Sequence, residues 1–88
     1  MISINHNYPH TNDMLITNLA GVPVSGATIK LFDAVAFSAG NLDSWVGATV
    51  SNNNGEWVDS IDVSEGGSWV ISVSKFNEFD PTHKELTT

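Results

Sequence analysis

The chain reads as an all-β protein, a small antiparallel sandwich of about seven short strands. Three observations predict it. Between Gly21 and Val73, apolar and polar residues alternate with the period of two that a half-buried strand requires. Clusters of Gly, Pro, Asn and Ser punctuate that alternation at short intervals, as turns between strands do. No stretch with a helical period interrupts the series.

Residues 1–12 (MISINHNYPHTN) are polar and broken by Pro9, and are expected to form an arm or linker before a sandwich domain at 13–88. Residues 1–4 could also add as a short edge strand. The first full strand is expected at 14–18. The run GVPVSG at 21–26 is a turn, since Pro23 fixes φ and removes a backbone donor and Gly26 admits unusual φ. A strand at 27–32 follows. Lys30 assigns Thr28 and Lys30 to its outer face and Ala27, Ile29 and Leu31 to the core, with Phe32 near the end of the outer face or turned under the following loop.

Residues 33–44 (DAVAFSAGNLDS) read as a long loop, with at most a short strand at 35–37, and long loops in compact domains often carry function. The strand at 45–51 is expected to turn Val46, Ala48 and Val50 inward. That leaves Trp45 at the outer face or rim. Asn54-Gly55 closes a hairpin and suggests a type I′ turn. The next strand, 56–63, carries Trp57, Ile61 and Val63 on one face. A strand at 68–75 has Trp69, Ile71 and Val73 inward and Ser72 and Ser74 outward. A turn at 77–81 and a last strand at 83–88 complete the series.

The residues also carry a family likeness. The run GVPVSGATIKL at 21–31, then ATV at 48–50 with NGEW at 54–57, then GSWVISV at 67–73, resembles the carboxypeptidase regulatory-like, or transthyretin-like, β-sandwich. Bacterial Ig-like and Cna-B-type modules share this style. The resemblance covers residues 14–75 and implies an Ig-like or prealbumin-like sandwich with an accessory, adhesive or structural role. It brings no catalytic residues. Cna-B modules often close an isopeptide bond between a strand Lys and a late Asn. Lys30 lies near the corresponding strand, but the end HKELTT has no Asn, so no such bond is expected.

Composition narrows the function. Ten acids oppose three lysines, with no arginine, for a formal net charge of −7. Phosphate backbones and anionic lipid surfaces are therefore disfavoured partners. The acids are scattered singly and read as a solubilising surface. There is no cysteine, so no disulfide and no thiol chemistry. No apolar run approaches a membrane span, and the first residues have neither the basic nor the apolar region of a signal peptide. No Asn-x-Ser/Thr sequon supports eukaryotic secretion.

Each chemical candidate has a blander reading that outweighs it. His6 and His10 are four apart, but Pro9 between them argues against a helical zinc site. Asp33, Asn41 and Asp43 could offer oxygens to Ca²⁺, yet their spacing fits no EF-hand. Asp59 and Asp62 differ in strand parity and should point to opposite faces, which disfavours an acid–base pair. No cofactor is implied and no enzymatic activity is expected. Trp57 and Trp69 share faces with aliphatic residues and belong to the core. Trp45 and Phe32 are the candidate contact residues, with Asp43 in the adjacent loop and Tyr8 in the arm. The reading is a structural or interaction module working by contact with a protein partner or host surface, through the N-terminal arm added as an edge strand or through the Trp45/Phe32 rim. Its expected setting is a bacteriophage virion, as a head-decoration, tail or fibre-associated domain, or an extracellular surface. The alternative is an accessory domain that binds a surface glycan.

Overall fold

The computed structural model describes all 88 residues except 42, 44 and 76–78, and for 79–81 the backbone alone. The fold is all β and antiparallel, with two sheets packed as a sandwich. Six strands are assigned among the described residues: β1 (Ile2–Ile4), β2 (Thr28–Asp33), β3 (Trp45–Val50), β4 (Ile61–Val63), β5 (Ser68–Lys75) and β6 (Phe79–Thr87). Further segments join by isolated bridges, Thr17 to Pro23 and Ser51 to Trp57. One layer is a four-stranded sheet in the order β3-β2-β5-β6; the other pairs β1 with β4.

The inner face of the larger sheet follows from the β2 register. Ile29 and Leu31 are fully buried; Ile29 faces Thr49 and Val73, and Leu31 faces Gly47 and Ile71. Ile4, Ile61 and Val63 close over them from the other layer, and Ile16 and Trp57 join the same buried cluster. Trp69, Ile71 and Val73 do face inward, as the β5 pattern required.

Residues 1–12 are not a free arm. Ile2, Ser3 and Ile4 pair with Val63, Asp62 and Ile61, and Ile4 is fully buried. The Ser3 hydroxyl donates to Asp62 Oδ1 at 2.6 Å. Farther on, the Met14 backbone N–H donates to the His6 carbonyl oxygen at 3.0 Å, which folds the segment back on itself.

Two expected strands are shorter than their patterns. Residues 14–18 form only a bridge, because Ile16 is shared: its N–H donates to the Gly55 carbonyl oxygen, and its own carbonyl oxygen accepts from Val24. Asn18 Oδ1 then accepts from the N–H groups of Ala20 and Val22 and turns the chain. Residues 56–63 change layers along their length. Val58 donates to the Val50 carbonyl oxygen beside β3, whereas 61–63 pair with β1. Such switching makes the corner of a sandwich.

The 52–55 hairpin is not type I′. Only Gly55 among its residues has positive φ (+74°), and Gly55 N–H donates to the Asn52 carbonyl oxygen while Asn52 N–H donates to that of Glu56. This is the three-residue loop, a type I turn followed by a left-handed residue. Glycine is required there twice over, because a Cβ would also collide with the Ile16 carbonyl oxygen.

The stretch expected as a loop or short strand at 35–37 is a one-turn helix, α1 (Ala34–Ser38). Asp33 caps it, with Oδ2 accepting from the Ala36 N–H at 3.1 Å, and alanine favours the turn. Strand β6 begins at Phe79, inside the expected 77–81 turn; residues 77 and 78 lie outside the described residues. Pro81 is tolerated because β6 is an edge strand.

Candidate functional site

Strand β3 inverts the expected parity. Its inward residues are Gly47 and Thr49, opposite Leu31 and Ile29, and Thr49 is buried. Gly47 is there because the Ile61 side chain occupies the space a Cβ would need. Ala48 and Val50 face outward, opposite Lys30 and Thr28. By simple alternation Trp45 would share the inward face with Gly47. The register shift between Leu31 and Phe32 makes Val46 an extra residue and sets Trp45 opposite Phe32. Trp45 therefore sits on the outer face, as expected, but by way of a bulge. Lys30 Nζ lies 5.8 Å from the Trp45 ring centroid, within cation–π range.

The outer face is divided in two. Over β2 and β5, α1 forms a cover: the Phe37 ring lies 5.1 Å from Phe32 and 4.8 Å from His83. Phe32 is consequently only 4% exposed, and Val70 beneath the same cover is buried. The structure thus corrects the reading of Phe32 as a surface contact residue. Among the described residues, no element lies over β3 on this face. Trp45 (46%), Val46 (51%) and Val50 (45%) are exposed, with Val58 (55%) hydrogen-bonded to Val50 at the strand's edge.

The four candidate residues therefore separate. Trp45 and Phe32 are register neighbours, one open and one covered. Asp43 is exposed two residues before Trp45. Tyr8 is half-buried against the core, in the segment that follows β1. Sequence reasoning missed Val46, Ala48 and Val50, because an aliphatic set at alternate positions is the natural choice for the core. Only the cross-strand register reveals that Gly47 and Thr49 displace them.

Of the loop acids, Asp33 is occupied locally, since it caps α1. His6 is part of the scaffold: Nδ1 accepts from the Trp57 backbone N–H at 3.2 Å, and Nε2 lies 3.7 Å from Glu56 Oε2. Among the described residues, no three His, Asp or Glu side chains converge as a metal site would need.

A second feature lies between the layers. An open groove of about 870 Å³ runs between residues 13–19 and the inner face of β5 and β6, and reaches Trp57. Leu15, Ile16, Val24, Ile71 and Val73 line it, with Thr82 and Lys84 on the β6 side.

No family model matches this chain, and neither a curated protein nor a solved structure shows significant similarity to it. Nothing in these comparisons names a transthyretin-like or carboxypeptidase regulatory-like domain.

Proposed function

We propose that the protein is a non-enzymatic interaction module that docks on a partner protein through the outer face of β3. The observation that carries this reading is the apolar surface of Trp45, Val46, Val50 and Val58, left open where α1 covers the rest of the same face. Single exposed apolar residues are ordinary, but four together on one edge of a sheet form a patch. Tryptophan is the residue type most often dominant in such contacts, and Lys30 supplies a charged rim. The assembly in which we place the module is a bacteriophage virion or an extracellular surface. An acidic, cysteine-free sandwich and the transthyretin-like residue pattern support that setting.

The second reading is glycan binding, which the open Trp45 indole and nearby Asp43 favour. It ranks lower because Val46, Ala48 and Val50 offer no side-chain donors or acceptors for sugar hydroxyls.

Capture from source lysate tests both readings, with wild type and Trp45→Lys as paired baits. A protein retained by wild type and lost with the variant supports the first. Retention by both baits counts against it. Retained polysaccharide, with a tryptophan fluorescence shift that Trp45→Lys abolishes, favours the second.

A further inference from the structure

The groove between the layers carries an inference independent of the β3 face. Strand parity explains why it exists. On β6, Leu86, Lys84 and Thr82 face inward, opposite Trp69, Ile71 and Val73. Leu86 is buried, but Thr82 and Lys84 are exposed, so among the described residues the second layer does not cover that end of the sheet. What remains is an apolar channel with a lysine on its floor. Among the described residues, Lys84 makes no ion pair. Its volume of about 870 Å³ falls within the range of about 300–1,000 Å³ usual for small-molecule sites.

We propose that the groove binds an amphipathic anion, a straight aliphatic chain ending in a carboxylate, with the chain against Ile71, Val73, Leu15 and Ile16 and the head group at Lys84. The choice of an anion rests on charge complementarity. Lys84 is exposed on strand β6 opposite Ile71, and a lysine in such a place can lay its stem on apolar surface while its ammonium stays in water. Among the described residues, the carboxylate on the groove is Asp13, which sits in a turn and is exposed. A strand places a charge more rigidly than a turn does, so Lys84 sets the preferred sign.

Isothermal titration at submicellar concentrations tests this with octanoate, decanoate and dodecanoate, and with dodecylammonium as the opposite charge. Saturable binding is expected that tightens several-fold with each two carbons added. Dodecylammonium should bind at least tenfold more weakly than dodecanoate. Lys84→Gln, an exposed change that leaves the core untouched, should weaken dodecanoate roughly three- to tenfold, and Asp13→Asn should tighten it slightly. Methyl NMR should show shifts at Ile71 and Val73 and none at Val50. No binding, equal binding of the two charges, or an unchanged affinity in Lys84→Gln would each overturn the proposal. So would shifts confined to Val46, Val50 and Val58, which would put the ligand on the outer face instead.

Discussion

The imidazole of His6 accepts a hydrogen bond from the backbone N–H of Trp57 across fifty-one residues of sequence, at 3.2 Å. The same tryptophan donates its indole N–H to the Met14 carbonyl oxygen at 3.0 Å. One side chain and one backbone group thus tie the N-terminal segment to the 51–57 hairpin. His6→Ala removes the acceptor and leaves a largely buried N–H unpaired, which costs about 1–3 kcal/mol. Urea denaturation should show the midpoint fall while the slope is preserved.

Trp57 and Trp45 should separate cleanly in stability. Trp57 is 4% exposed and hydrogen-bonded, so Trp57→Ala is expected to cost about 3–5 kcal/mol. Trp45 stands on the open face, and Trp45→Ala should cost less than about 1 kcal/mol. Denaturation of the two variants, with iodide quenching of the remaining fluorescence, measures the contrast. Loss of Trp45 should remove most of the quenchable signal.

Ser51 is nearly fully buried, and its hydroxyl works in both directions. It accepts from the Ala27 backbone N–H at 3.0 Å and donates to the Val24 carbonyl oxygen at 2.6 Å. Ser51→Ala changes volume little but strands both groups. A loss of about 2 kcal/mol is expected. Hydrogen exchange at the Ala27 amide should accelerate by more than at Ile29, which keeps its strand partners.

Gly55→Ala combines backbone strain with a collision. The φ of +74° alone costs a non-glycine residue about 1–2 kcal/mol, and the added Cβ meets the Ile16 carbonyl oxygen. Gly66→Ala is the control, with φ of +77° and open space around it. Thermal melts should place Gly66→Ala well above Gly55→Ala. Equal melting temperatures would mean that the hairpin yields and the packing on Ile16 is loose.

These contrasts also show where the sequence was readable. Strands β2 and β5 were legible because Ile29, Leu31, Ile71 and Val73 alternate with polar residues and pair directly with one another. The glycine turn at 52–55 was legible in place, though not in type, since its type depends on the φ of Asn54. Strand β3 misled because its parity is set by neighbours: Gly47 is forced inward by Ile61, and the bulge at Val46 moves Trp45 across the sheet. Phe32 looked open because its cover comes from α1, whose Asp33 cap and alanines were a visible but weak helix signal. The groove was beyond reach, since it depends on how far one layer extends over the other.

The most direct test of the β3 docking face is site-specific photo-crosslinking in source lysate. A photoreactive residue is placed at Val50 on the open face and, in a second sample, at Glu85 on the outer face of β6. The account predicts one dominant crosslinked protein from position 50 and no discrete adduct from position 85. Crosslinks to one protein from position 85 alone would contradict it, and would move the contact surface to the opposite edge of the sheet.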